Sequence, residues 1–583
     1  AMALMPALKQ YTVQPLHSDY KLISEDSDIA RHLRYRFQHD RVQQAAYQLI
    51  DKERLPKVHL SIGRLMLNHE GSTTQPERIS DIVSHLNQGV ELINTREERL
   101  LLAKLNLQVG QRAKNASAYQ AAIVLLRISE RLLPVNAWQE TPELMMQLAA
   151  EIQQCCYLTG AVNEADDWIE KMLSHASSNL EKSDILATRT RQYATLGRMK
   201  DSIESAIQGL ALLNIEFTDE PSTSDINRER ELVTTNLAGR KIADLVDAET
   251  VEDPATLVAM RLLMEIFAAA FLSGSGNLFP YLVLKSVNLS LRHGNSNESA
   301  FAYAAYGMLL CGEIDEPDIG YEYGKVGLAI NEKLDDLTLR SRVIYVYAMF
   351  VHHWSNHWST LTPLFKRGIE AGYQSGDLLY LAYSAQDCVI WDPTLDLESA
   401  EKQHAENLEI VKECAYQDSF DSGPLFLQMQ RNLLGRTNSE QCLSDDSFDQ
   451  QACFKGMQER QFMTGIANHH IYNAEICFLY GNYEKALEFV RLQDPLIKSA
   501  MSLPQLTRYY LVANLTLSEY FPSFKPDEQK ATLHRLQQDL ARMERWAENC
   551  KDNFLHLAFL MNAEIERIQG NSKVVLKLYD KAI

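Results

Sequence analysis

Apolar residues recur at helical spacing along almost the whole chain, broken by short polar turns. Near the start, Tyr35 and Phe37 alternate with polar neighbours, as in a short strand. From His39 the period lengthens, and Val42, Ala45, Ala46, Leu49 and Ile50 fall on one helical face. A second helix is expected with Pro56 in its first turn and Leu55, Val58, Ile62, Leu65 and Met66 inward. A third, over 76–93, turns Ile79, Ile82, Val83, Leu86 and Val90 inward. Beyond residue 96 the pattern predicts long helices over 97–108, 113–133 and 142–159. Further helices of about the same length are expected over 255–272, 278–293, 297–311, 317–333, 337–354, 358–374, 378–390 and 399–416. The last set covers 454–480, 483–500, 504–520, 526–549, 552–569 and 572–583.

The turns carry a signature of their own. Gly160 is followed by Val162 and Ala165, and Gly481 by Tyr483 and Ala486; Gly197, Met199 and Ser202 are a degenerate copy, and Gly570 with Val575 a weak one. Glycine releases one helix through a left-handed cap, and the small residue lets the next helix approach closely. This arrangement resembles the turn and second helix of a tetratricopeptide repeat. Gly160 and Gly197 are 37 residues apart, close to that repeat's period of about 34. The expected fold is therefore all-α, a tetratricopeptide-like helical-repeat superhelix of divergent units. Residues before about 34 are irregular, and "YTVQPL" and "YKLIS" are candidate hairpin strands that join Tyr35–Phe37 in a small partial winged-helix element. The expected segments are 1–68 for that element and its helices, 69–213 and 214–435 for repeats, 436–452 for an exposed acidic loop, and 453–583 for the last repeats.

The stretch "YRFQHDRVQQAAYQLI", followed by "HLSIGRLML" and "DIVSHLNQGVELI", resembles the region after the ATPase module of large bacterial multi-domain sensor kinases. In that family a Ser/Thr-kinase-like domain and an AAA/STAND-type ATPase precede a long helical-repeat region, and a histidine kinase commonly follows. The resemblance continues through "LNLQVGQRAKNASAYQAAIVLL" and "HHWSNHWSTLTPLFKRGIEAGYQSGDLLYLAYSA". It implies that this chain is a middle piece, with ATP or ADP and Mg²⁺ bound elsewhere in the parent protein. It also implies that His39 and Asp40, at the start of a winged-helix-type helix, read nucleotide phosphates in the intact ATPase. The plain alternative is that His39 caps the helix and Asp40 pairs with Arg36 or Arg41.

The motifs of nucleotide chemistry are missing from the chain itself. There is no G-x-x-x-x-G-K-[ST] run, and Ser273-Gly-Ser-Gly276 lacks the lysine that such a loop needs. No kinase, nucleophile-elbow or H-E-x-x-H motif occurs. No catalytic residues are assigned, and no cofactor is expected within this chain. The closing helical pattern runs to the last residue without a stop signal, as expected of an excised fragment.

Composition narrows the partners. Apolar residues make up 46% of the 583, which supplies a large core, and the formal charge is −20. Phosphate backbones repel such a surface, so generic nucleic-acid binding is not expected. Arg31, Arg34, Arg36 and Arg41 form one local basic patch, read as a rim facing the ATPase core. The nine cysteines are scattered and odd in number, which suits a reducing, cytoplasmic setting. The most apolar stretch, 257–272, is too short to cross a membrane and holds Arg261 and Glu265, expected as an i,i+4 ion pair.

Two constellations remain. His353 and His357 are four apart beside Trp354 and Trp358, a spacing that suits one helix face, but no third ligand lies nearby, so no metal is assigned. Tyr303, Tyr306, Tyr345, Trp354, Trp358, Tyr380 and Trp391 form a dense aromatic group between 300 and 392. Such residues either pack repeats together or line a recognition surface for a peptide, protein or small-molecule signal. The expected role is a non-catalytic regulatory and interaction module coupled to neighbouring ATPase and kinase domains. The alternative is a passive scaffold, possible as a homodimer, that holds output domains apart.

Overall fold

The computed structural model describes residue 7 and residues 12–16, 35–70, 76–272, 276–414 and 417–583. It divides into two compact units, 1–175 and 176–583, a division inside the segment expected to run from 69 to 213.

In the first unit, Val13–Pro15 pairs antiparallel with Tyr35–Phe37, with Val13 opposite Phe37. The other expected hairpin strand, "YKLIS", lies outside the described residues. The helices Asp40–Gln48, Leu55–Glu70 and Pro76–Gln88 follow, then the pairs Arg96–Asn115 with Tyr119–Leu132 and Pro142–Leu158 with Val162–His175. The Arg96–Asn115 helix runs through the break expected near 109–112. Gly110 is the reason: a Cβ there would lie 2.8 Å from a Leu126 methyl, so the glycine seats one helix on the next. The chain turns instead at Ser117, a non-glycine residue with φ 60° and no compositional signal.

The second unit repeats the same plan. Antiparallel pairs form between Asn179–Thr195 and Met199–Leu212, Asn297–Leu309 and Pro317–Leu334, Leu337–Phe350 and Leu361–Ser375, Met463–Leu479 and Tyr483–Gln493, and Pro526–Asn549 and Lys551–Ile568. The glycines singled out in the sequence take the left-handed conformation, with φ 81° at Gly160, 73° at Gly197, 76° at Gly481 and 83° at Gly570. The small residues that follow them, Ala165, Ser202 and Ala486, are buried. The fold is thus all-α and tetratricopeptide-like. One apolar cluster runs from Ala187 to Met561 through the centre of this unit.

The last long helices of the unit fold back on its middle. Trp354 packs between Trp546, tilted against it at 4.8 Å, and Phe554, stacked at 5.6 Å. Asn553 donates to the carbonyls of His353 and Asn356 at 2.7 and 2.8 Å. Arg545 pairs with Asp315, and Trp546 Nε1 donates to the same carboxylate at 3.0 Å.

Three local expectations change. The 255–272 helix breaks at Ile266 into Pro254–Glu265 and Phe267–Leu272. Arg261 and Glu265 do not pair with each other: Arg261 reaches Asp184 at 2.8 Å, and Glu265 takes Arg191 at 2.8 Å and Arg342 at 3.5 Å. Burial favours partners from packed neighbours over a local one. The 436–452 stretch is anchored rather than wholly exposed, because Asn432 Nδ2 donates to the carbonyls of Ser439, Glu440 and Cys442, and Leu443 is buried beside Leu425, Phe426 and Met457.

Candidate functional site

The seven aromatic residues nominated from the sequence do not form one surface. Tyr303 and Tyr306 are buried around Tyr323, with ring centroids 6.1 and 4.8 Å away. Trp354 is fully buried, at 0% exposure. Trp358 packs edge-on to buried Trp391 at 6.3 Å, and its backbone N–H donates to Asn553. These five fill space between helices. The Asn297–Leu309 helix explains why: it is buried on every side, so its aromatic residues have no open face to line.

Tyr345 and Tyr380 differ, because they line a cleft within the second unit. Six short runs of chain build it. Phe267, Ala268 and Phe271 come from Phe267–Leu272, and Tyr345, Val346, Met349 and Phe350 from Leu337–Phe350. Tyr380, Tyr383, Gln386 and Asp387 come from Leu378–Asp387, at spacings that place them along one helix face. Ser422 and Phe426 close one wall; Phe462, Thr464, Asn468, Leu503 and Gln505 close another. The cavity has a volume of about 70 Å³. That is room for several water molecules or a small organic group.

The walls are apolar, yet the polar groups among them are conspicuous. Asp387 is 1% exposed, Gln386 6%, Asn468 2% and Gln505 1%. Tyr345 Oη donates to Asp387 Oδ2 at 2.8 Å, and Gln386 Nε2 approaches Asp387 Oδ1 at 3.4 Å. Gln386 Oε1, Asn468 Oδ1 and Gln505 Oε1 have no hydrogen-bond partner among the described residues. A buried oxygen without a partner is costly, so a donor entering the cleft would satisfy groups that the fold leaves open.

Burial pushes Asp387 up to about 7, against the hydrogen bonds from Tyr345 and Gln386 that favour its charge. A carboxyl raised in this way lends stability that is fully present below the ordinary carboxylate range. That stability is lost as pH rises from about 4 through about 7. At about 1.4 kcal/mol per pH unit, the loss is on the order of 4 kcal/mol. Asp387→Asn should abolish this slope: unfolding followed at pH 5 and pH 8 should show the variant gaining a few kcal/mol relative to the parent at the higher pH.

The remaining nominated residues are placed as follows. His39 is the N-cap of Asp40–Gln48 with extended backbone and no side-chain cap bond; its carbonyl accepts from Val42 and Gln43. Both His39 and Asp40 are exposed. Arg36 donates to Gln14 at 3.3 Å, and no ion pair joins Asp40 to Arg36 or Arg41 among the described residues. His353 and His357 do not share a helix face, because His353 is buried in a one-turn 3₁₀ segment and His357 caps the next one. Burial drives His353 down to about 3, which keeps it neutral. Among the described residues no group of three or more metal-ligating side chains converges, and no helix is long and apolar enough to cross a membrane.

Gln386, Asp387, Asn468 and Gln505 were not singled out from the sequence. The only local trace is a polar Gln-Asp pair inside "YLAYSAQDCVIW", an otherwise apolar run.

No protein-family profile matches the chain. A hybrid signal transduction histidine kinase, kinase G of Dictyostelium discoideum, is 24% identical over 401 residues, which are 61% of this chain. The chain spans 12% of that relative's length. Among solved structures, a Rap protein complexed with competence and sporulation factor aligns at TM-score 0.37 and 11% identity, over 69% of this chain and 98% of its own. A STAND protein with a tetratricopeptide repeat sensor from Pyrococcus horikoshii aligns at TM-score 0.25 and 11% identity, over 96% of this chain and 66% of its own.

Proposed function

We propose that this chain is a non-catalytic regulatory module of a signal-transduction histidine kinase, and that the cleft of its second unit senses the signal. The observation that carries the reading is the set of partnerless buried oxygens on an aromatic-walled cleft. The similarity to a hybrid histidine kinase over 401 residues supplies the signalling context. A small molecule, or a side chain from a peptide or protein signal, fills the cleft. Its binding free energy shifts the balance between two arrangements of the parent protein, and the shift is limited to its differential affinity for the two. Neighbouring ATPase and kinase domains, using ATP or ADP with Mg²⁺ in the cytoplasm, carry the output. His39 and Asp40, exposed at a helix start, belong in this reading to the phosphate-sensing part of that ATPase.

Filling the cleft tests the reading. Ala268 lines it, and Ala268→Phe should leave the secondary structure intact while the intact kinase loses its response to its signal at least tenfold. Autophosphorylation with and without the native extract that activates it is the measurement. An undiminished response in Ala268→Phe overturns the sensing role. A tight homodimer in light scattering, together with an undiminished response, would establish the scaffold reading instead.

A further inference from the structure

The chemistry of the cleft walls narrows the ligand. Resting on the sensing role given to the same cleft, we infer that its ligand is a small cationic amine: an ammonium group on a short apolar body. Among the described residues, the fully buried polar atoms left without a partner there are the amide oxygens of Gln386, Asn468 and Gln505. Oxygens accept hydrogen bonds, so the complementary group is rich in donors, and an ammonium presents up to three. The one carboxyl group in the wall, Asp387, supplies the opposite charge. It ends the Leu378–Asp387 helix, and a helix C-terminus favours a positive charge.

The rings complete the recognition. Tyr345 lies 5.9 Å from Tyr380 and 5.3 Å from Tyr383, with Phe267, Phe271, Phe350 and Phe426 around them. Ring faces attract a desolvated cation by on the order of 2 kcal/mol. The protein's own nearby cations are committed elsewhere. Arg342 pairs with Asp377 at 2.5 Å and Glu265 at 3.5 Å, and Arg508 pairs with Glu475 at 3.0 Å. No ion pair reaches Asp387 among the described residues. A carboxylate or phosphate ligand would face the Asp387 carboxyl group with no cation among the described lining residues, and an apolar ligand would leave three oxygens unsatisfied.

The inference fixes a pH dependence. The titratable groups in the wall are Asp387, Tyr345, Tyr380 and Tyr383. Behind them stand Tyr472, which senses the Asp387 charge, and the Arg342 and Arg508 pairs. Burial holds Tyr345, Tyr380 and Tyr472 protonated across the neutral range. Asp387 is then the group that changes charge near neutrality.

Calorimetric titration of the 583-residue chain with phenethylamine, 2-phenylethanol and 3-phenylpropionate tests this, since the three share a body and differ in charge. Phenethylamine should bind at one site at pH 8, and at least fivefold more weakly at pH 5.5. The alcohol and the acid should bind at least tenfold more weakly than the amine at pH 8. Asp387→Asn should weaken the amine at least tenfold, and Asn468→Leu should do so independently where the first variant folds poorly. Equal or tighter binding of the alcohol or the acid, lost in Ala268→Phe, would overturn the amine inference and leave the sensing cleft standing. No binding by any probe also overturns it. The kinase response of Ala268→Phe then decides separately whether the sensing role falls too.

Discussion

Trp354→Ala should destabilise the second unit by about 4 kcal/mol, within the usual range for removing a buried tryptophan. The side chain has no exposed surface. Its indole packs between Trp546 and Phe554, and its Nε1–H donates to the Phe350 carbonyl and to Ser502 Oγ, both at 3.1 Å. Ser502 in turn donates to Phe350 O at 2.6 Å. Truncation opens a cavity where the Pro526–Asn549 and Lys551–Ile568 helices return to the middle of the unit. Those helices should then be the first to yield. Limited proteolysis should cut near 521–525, and the emission of Trp546 should shift to the red. A loss under about 1 kcal/mol in urea unfolding would mean that the returning helices are held by other contacts.

The second large effect is expected at Arg342. Its guanidinium is buried between Asp377 and Glu265 and lies 5.4 Å over the Tyr380 ring. Burial works against its charge, and the two carboxylates more than offset that, so the group stays protonated. Arg342→Met removes the shared cation. Glu265 keeps Arg191 at 2.8 Å, but Asp377 is left buried without a counter-charge. Breaking such a pair costs about 3–5 kcal/mol. Arg342→Lys should recover only part, because a point charge cannot span both carboxylates. Adding Asp377→Asn to Arg342→Met should recover at least about 1 kcal/mol, the signature of coupled neighbours. Chemical denaturation of the parent, Arg342→Met, Asp377→Asn and the double variant measures the cycle. Asp377 also caps the Leu378–Asp387 helix by accepting from the Tyr380 N–H, so the same damage should loosen the wall that carries Asp387.

How far the sequence reached depended on whether a residue's role is local. Gly160, Gly197, Gly481 and Gly570 were legible as helix exits, because a left-handed turn constrains the residue type at that position. Ala165 and Ala486 were legible as close-approach sites for the same reason. Ser117 makes the same turn without glycine, so the end of the Arg96–Asn115 helix was missed. The Arg261–Glu265 pair was misread because i,i+4 spacing is visible in sequence, whereas Asp184, Arg191 and Arg342 arrive from other helices. The candidate site was half legible. Tyr345 and Tyr380 stood out by type. Asp387, Asn468 and Gln505 look like ordinary surface residues until three helices far apart in sequence bring them to one cleft.

The junction around Trp354 also bears on how the chain is made. Its partners lie 148 residues downstream at Ser502 and about 200 downstream at Asn553, while Asp315 waits 230 residues for Arg545. At ordinary elongation rates of roughly 5–20 residues per second, the central helices leave the ribosome roughly 10–40 s before the helices that cover them. During that interval a tryptophan-rich seam faces the cell. The nascent polypeptide is thus a natural client for holdase chaperones, and a stop codon placed before residue 545 should yield insoluble protein, not a shorter working version.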